Sequence, residues 1–314
     1  MKLETSKQLY AERLPKGIPI FYQPFYLDVV AEKSWEAITC FENDNVVALM
    51  PYGFKTGGYR VVKQPPLAIY QGPYFVQETG LGKEMSVLAE FEKLIKPFDY
   101  YNQNWHPTSM NWLPFYWKGY VQSTRYSYVI SNSSMEEVRA GYNENVRRNL
   151  KKAANIVEVE NCDQFDTLFS VLEKTFARKG LEQPYNKHMF RRLVDECRSR
   201  QCCSMLVARD ADRKVHAGMF IIWDDQWVYY MAGGVDSDHK NSGAMTLLFD
   251  KAIEFAMQSG RSFDFEGSMI QDIEKYFRSF GAVQQQYFVV TKVRSKFLRL
   301  RLAMARIHPA FNPL

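Results

Sequence analysis

Cysteine and histidine are scarce in this 314-residue sequence, with five of each. The cysteines (Cys40, Cys162, Cys197, Cys202 and Cys203) are odd in number and form no C-x-x-C pair, which argues against a disulfide framework and for a reducing compartment. The histidines are scattered without zinc spacing, so no metal site is expected. No run approaches 18 uninterrupted apolar residues, and residues 1–17 carry six charges and no apolar segment of the kind that secretory signals have. These absences point to a cytoplasmic protein. The charges are unevenly divided along the chain. Residues 1–130 hold 13 basic and 12 acidic residues, residues 131–290 hold 21 and 23, and residues 291–314 hold six and none. The net charge of +5 therefore describes a nearly neutral body with a basic end, which excludes a general polyanion binder.

What is present is an apolar, aromatic-rich chain (46% hydrophobic, 15% aromatic) of a length that favours two domains. Val, Ile, Phe and Tyr runs alternate with helical patterns, which predicts a mixed α/β fold. A strand is expected over residues 46–52, after the turn-like residues 42–45, and a three-strand meander over residues 205–232. Ser133 and Ser134 precede Glu136 and Glu137 by three residues, a helix start signal. Met135, Val138, Tyr142, Val146, Leu150 and Ala153 then make one apolar stripe, with Arg147, Arg148, Lys151 and Lys152 mostly off it. This predicts a connecting helix whose basic face is either solvated or meets a polyanion.

An internal repeat organises the rest. A helical segment, residues 84–96, is followed by Phe98-Asp99, and another, residues 244–259, by Phe263-Asp264, an offset of 165. Residues 115–120 parallel residues 277–282 at an offset of 162, and each run leads into a strand. Two copies of one α/β domain are expected.

The meander, the glycine-containing loop opening a helix, and the strand ending in an acidic residue resemble the GNAT acyltransferase fold. Two such domains in tandem resemble the FemABX and FemAB-like (BioF2-like) acyltransferases, over roughly residues 15–290. The matching segments are the basic run at 147–153, the stretch 176–180 with Pro184 and Phe190, the loop and helix 243–255 with Gly260, and Phe263-Asp264-Phe265-Glu266-Gly267-Ser268 followed by Phe277-Arg278 and Phe280-Gly281. The resemblance implies an α/β (α+β) fold of two GNAT-like domains, each a mixed, mainly antiparallel sheet flanked by helices. The expected boundaries are an acceptor-side domain at 1–132, a connecting helix at 133–155, a donor-side catalytic domain at 156–291 and a basic amphipathic helix at 292–314. The activity implied is transfer of an acyl or aminoacyl group to an amine of a lipid, peptide or sugar of the cell-envelope type. The co-substrate would be acyl-CoA or aminoacyl-tRNA, with no permanently bound cofactor and no DNA partner. Two alternatives stand beside it: an acyl-CoA-dependent N-acetyltransferase of a small amine or amino sugar, and a non-catalytic tandem-GNAT binding protein. The loop Lys240-Asn241-Ser242-Gly243-Ala244-Met245 departs from the family pattern by placing Met245 where a small residue is usual.

The chemistry sets the candidate residues. Free N–H groups and the positive dipole end make a helix start a seat for anions, so Lys240, Asn241, Ser242, Gly243 and Ala244 are the expected donor-binding residues. The alternative is an ordinary strand–turn–helix junction. Alternation in a strand places Asp264 and Glu266 on one face. Glu266 is the expected general base, and Asp264 the anchor of a neighbouring turn. Arg278 stands where the family commonly has a lysine proposed to stabilise an oxyanion, and it could equally be a surface residue. Lys179, in the segment resembling the acceptor-side helix, and Tyr101, Trp105 and Trp117, from an aromatic cluster that could equally be core, are the acceptor-side candidates. His106 in that cluster reads as structural. In the basic end, Val293, Phe297, Leu300, Met304 and Ile307 share one helical face flanked by Lys292, Lys296, Arg299 and Arg306 on one side and by Arg294 and Arg301 on the other, while Leu298 and Leu302 on the back face favour some packing to protein. Packing on the body, peripheral contact with the inner membrane face, and RNA or tRNA binding are the three readings of that helix.

Overall fold

The computed structural model describes residues 1–178, 180 and 182–304, so Lys179, Arg306 and Ile307 lie outside the described residues. The chain forms two compact units, one joining Met1–Arg125 to the stretch that begins at Gln286, the other spanning Tyr126–Gln285.

The first unit opens with strand β1 (Lys2–Thr5), helices α1 (Lys7–Arg13) and α2 (Pro24–Val30), and strands β2 (Trp35–Glu42), β3 (Asn45–Lys55), β4 (Val61–Lys63) and β5 (Tyr74–Phe75). Helix α3 (Leu81–Ile95), strand β6 (Tyr100–Asn104) and the short helix α4 (Leu113–Tyr116) follow. The β2–β3 hairpin turns at Asn43 and Asp44, both left-handed with φ of 48° and 61°, a conformation that short polar side chains tolerate. Its inward residues Ile38, Cys40, Ala48 and Met50 meet Val87, Leu88, Phe91 and Ile95, the apolar face of α3. The strands run β1-β2-β3-β4-β6, with β4 and β6 parallel.

Strand β7 (Val121–Ile130) leads into the second unit, which continues through α5 (Met135–Ala140), α6 (Glu144–Ala154), β8 (Glu158–Asn161), α7 (Phe165–Arg178) and α8 (Lys187–Ser199). The meander follows as β9 (Cys203–Arg209), β10 (Val215–Trp223) and β11 (Trp227–Val235), then α9 (Ala244–Gln258), β12 (Ser262–Asp264) and α10 (Gln271–Arg278). Sheet order is β7-β12-β11-β10-β9-β8, antiparallel except for β11 with β12. Alternation along β10 divides the packing between the two faces. Ala217, Met219 and Ile221 join the core with Leu248, Ala252 and Ala256 of α9, whereas Phe220 meets Phe190 of α8 edge-on.

The last two elements, β13 (Val283–Val293) and α11 (Lys296–Met304), return the chain to the first unit, where β13 pairs with β6 from Val289↔Asn104 to Val293↔Tyr100. The repeat is thus α3-β6-α4-β7 and α9-β12-α10-β13. The final strands are exchanged: β7, from the first copy, pairs with β12, and β13, from the second, pairs with β6.

Several expectations need correction. The connecting helix at 133–155 is two helices inside the second unit. Gly141 ends α5, and the Asn143 side chain accepts from the Val146 N–H to start α6, so the stripe of Val138, Tyr142, Val146 and Ala153 stays buried across the break. The start signal is as read, with Ser134 accepting from the Glu137 N–H. Lys292 and Val293 belong to β13, not to a helix. Helix α11 packs by its back-face pair, Leu298 and Leu302, which are buried against Val61 and Tyr100 while Phe297, Leu300 and Met304 are exposed.

Candidate active site

The site grows from the junction between β11 and α9. The parallel pairing of β11 with β12 covers only Trp227–Tyr229 against Ser262–Asp264, and β11 runs on to Val235, so the strands part beyond that point. A short 3₁₀ turn, Ser237–His239, then delivers the chain to Gly243. Gly243 is left-handed (φ 80°) and caps α9 without any side-chain hydrogen bond. A Cβ at this position would lie 2.6 Å from the Asn149 carbonyl oxygen of α6. Glycine is therefore required twice over, for the φ and for the close approach of α6.

That approach makes a cavity of about 690 Å³. Its walls are Arg148, Asn149 and Lys152 from α6, Lys240, Asn241 and Gly243 from the loop, Ala244, Met245 and Thr246 from α9, Val235 and Tyr276. Three cations thus converge on a helix N-terminus, an arrangement suited to phosphate groups. Of the expected donor residues, all but Ser242 line the cavity. Ser242 is buried, and its hydroxyl accepts from the Ala244 N–H at 3.3 Å, bracing the turn. Arg148 and Lys152, which the sequence left as either solvated or polyanion-facing, belong to the walls, and Met245 occupies part of them.

Tyr276 was not singled out from the sequence. It lies in α10, its hydroxyl 3.1 Å from the Thr246 hydroxyl at the start of α9. Burial pushes its pKa well up, so it holds its proton across the physiological range. Its only sequence signal was an aromatic one residue before the Phe277-Arg278 motif.

Glu266 lies beyond the end of β12, not within an alternating strand, and its backbone is left-handed (φ 65°). The residue is half-buried. Loss of hydration raises its pKa well above the usual carboxylate range, with repulsion from Asp264 adding to the effect. Asp264 is buried and accepts from the Ser127 hydroxyl and, at 2.8 Å, from the Glu266 N–H. It anchors the turn that presents Glu266. Burial raises the pKa values of Tyr185 and Tyr230, and the Glu266 carboxyl raises both further. Glu266 is not among the residues lining the cavity.

Arg278 is not among the cavity-lining residues. It is exposed, and its Nε donates to Glu274 at 2.7 Å, one helical turn back. The aromatic candidates divide. Tyr101 and Trp105 are fully buried in the first unit, where the Trp105 Nε1–H donates to the Tyr101 hydroxyl at 3.0 Å and both rings pack on Phe115. They are core and cannot receive an acceptor. Trp117, at the end of α4, is exposed. His106 is buried among tyrosines, with burial lowering its pKa to about 3, which leaves it neutral and structural. Among the described residues no group of side chains is arranged to hold a metal ion, and no helix is long and apolar enough to cross a membrane.

Residues 140–278 match the family model of the acetyltransferase (GNAT) domain. No curated protein sequence matches the chain. Among solved structures it is similar to FemX, at 10% identity and a TM-score of 0.71, covering 97% of this chain and all of that one. The C-terminal domain of a putative lysylphosphatidylglycerol synthetase from Agrobacterium fabrum follows at 13% identity and a TM-score of 0.59, with 97% and 99% covered. A tandem GNAT protein from the clavulanic acid biosynthesis pathway gives 10% identity and 0.55, with 94% and 99% covered. Residues 140–278 therefore match the acetyltransferase (GNAT) domain, and the chain's fold is similar to those of FemX and of a tandem GNAT protein.

Proposed function

We propose that the second unit is the catalytic half of an N-acyltransferase that modifies an amine on a cell-envelope type acceptor, whether lipid, peptide or sugar. The observation that carries the reading is the cavity at the start of α9, with Arg148, Lys152, Lys240 and Tyr276 in its walls. Acyl-CoA and aminoacyl-tRNA both bring phosphates and an activated carbonyl. The phosphates meet the cations and the helix start. The acceptor nitrogen attacks the carbonyl carbon, its proton passes to the Glu266 carboxylate, and the departing sulfur or oxygen takes a proton from Tyr276. The fold likeness to FemX and to the lysylphosphatidylglycerol synthetase domain supports an envelope acceptor. A donor-binding protein without transfer is the second reading, and Met245 in the cavity wall favours it.

The test uses the full chain with acetyl-CoA, longer acyl-CoAs and charged tRNA. Because a base must be deprotonated, the wild-type rate should rise with pH until Glu266 ionises, at a pH above the ordinary carboxylate range. Glu266→Gln should lower kcat by about 10²–10⁴-fold and flatten that limb. Tyr276→Phe should lower kcat while leaving donor affinity within a few-fold. Stability supplies a second readout. A carboxyl whose folded pKa is raised is favoured by folding while protonated, and that stability is lost as pH rises through the folded value. Glu266→Gln should therefore melt with wild type near pH 4 and above it at pH 8. Normal turnover in both variants would remove the residue assignments, and absence of any donor binding would remove the enzyme reading.

A further inference from the structure

Helix α11 is amphipathic, but it hides only one of its two apolar edges. Leu298 and Leu302 sit in the first unit's core with Tyr100 and Val293, while Phe297 is 79%, Leu300 58% and Met304 70% exposed. The three lie at i, i+3 and i+7, on one outward face. Lys296, Arg299 and Arg301 are exposed around them. A second exposed apolar group in the same unit lies at α4 and the turn after it, where Tyr116 is 56% and Trp117 62% exposed. The two regions are tied together by Lys292, whose ammonium donates to the Lys118 carbonyl and lies over the Tyr120 ring. Burial lowers the Lys292 pKa, and the Arg294, Arg299 and Lys118 charges lower it further.

We propose that this face of the first unit docks onto an anionic lipid bilayer, with Phe297, Leu300 and Met304 entering the acyl boundary and the surrounding cations meeting lipid phosphates. Three features select this occupant. The apolar residues sit on a helix whose described part is too short and too charged to insert across a membrane, which suits interfacial binding. Residues 291–314 contain six basic and no acidic residues, complementary to an anionic surface. Exposed Tyr116 and Trp117, next in sequence to the Lys118 that Lys292 meets, have the amphipathic character favoured at the headgroup level. The proposal rests on the first unit alone and not on the catalytic reading of the second, so each can fail without the other.

The full chain is floated with vesicles of pure phosphatidylcholine and of phosphatidylcholine mixed with phosphatidylglycerol. Wild type should rise with the mixed vesicles at 0.1 M salt, stay behind at 0.5 M salt, and ignore the neutral ones. Phe297→Glu/Leu300→Glu should abolish flotation. Lys296→Gln/Arg301→Gln should lower partitioning about 30-fold, at roughly fivefold per cation. All four positions are exposed, and unchanged melting verifies folding. Three results would overturn the proposal: no flotation with anionic vesicles, flotation indifferent to the Phe297 and Leu300 changes, or a dimer in sedimentation that those changes dissociate, which would make the face a contact between two copies. RNA retardation abolished by the same changes, in a chain that does not float, would equally assign the face to RNA.

Discussion

Gly243→Val should eliminate donor binding and cost about 2–5 kcal/mol of stability. A non-glycine residue in the left-handed region costs roughly 1–2 kcal/mol, and overpacking adds roughly 1–3 kcal/mol. The added carbon would meet backbone, the Asn149 carbonyl at 2.6 Å, with Ala153 Cβ at 3.3 Å. Neither can rotate away, so α6 and the start of α9 must separate. That movement carries Arg148 and Lys152 off the cavity. A control isolates strain from collision. Gly260, after α9, has a similar φ of 70° with nothing within 4 Å of its would-be Cβ. Gly260→Ala should therefore cost only about 1–2 kcal/mol and leave donor affinity unchanged. Urea unfolding and a donor titration on the same samples read both effects.

Arg294→Ala should destabilise the first unit by about 3–5 kcal/mol, the usual cost of leaving one member of a buried ion pair behind. Arg294 follows β13, and its guanidinium reaches Glu92 of α3 at 2.9 Å, the Phe98 carbonyl at 3.2 Å and the Tyr120 hydroxyl. The Glu92 side chain is only 4% exposed, so its charge has no water to fall back on. Tyr120 also donates to Glu92, at 3.2 Å. Arg294→Lys should recover little, since one ammonium cannot reproduce the fork that serves three acceptors. Arg294→Met/Glu92→Leu should recover most of the loss, because removing both charges removes the desolvation penalty. Urea midpoints at pH 7 decide it, and a loss under 1 kcal/mol for Arg294→Ala would show that Glu92 is solvated or re-paired.

Much of the fold was legible because its signals are local. The Ser134–Glu137 cap, the Asn43-Asp44 turn and the three-strand meander each follow from residues within a few positions of one another. The repeat was visible as helix–strand–helix–strand order, and the second copy carries the Gly243 junction where it was expected. What escaped the sequence is set by distant partners. Nothing local reveals that β13 leaves its own copy to pair with β6, so the basic end was expected after the second domain. Leu298 and Leu302 were legible as a packing edge of α11, but nothing local names Val61 and Tyr100 as their partners. Tyr101 and Trp105 illustrate the same limit. Aromatics with polar tips suit a binding wall or a core equally well, and here the two tips satisfy each other inside the core. Tyr276 and Arg278 are two residues apart in α10, but only a three-dimensional view shows that the first meets Thr246 while the second turns outward to Glu274.

The central claim is that the start of α9 seats the donor's phosphates. It is tested most directly by calorimetric titration of the full chain with acetyl-CoA, longer acyl-CoAs and charged tRNA. The donor that binds most tightly is then titrated against Arg148→Gln, Lys152→Gln and Lys240→Gln. Each charge-assisted contact with phosphate contributes roughly 1.5–3 kcal/mol, so each variant should weaken binding by about 10- to 100-fold, and the wild-type affinity should fall with added salt. A donor that binds all three variants as tightly as the wild type would contradict the assignment.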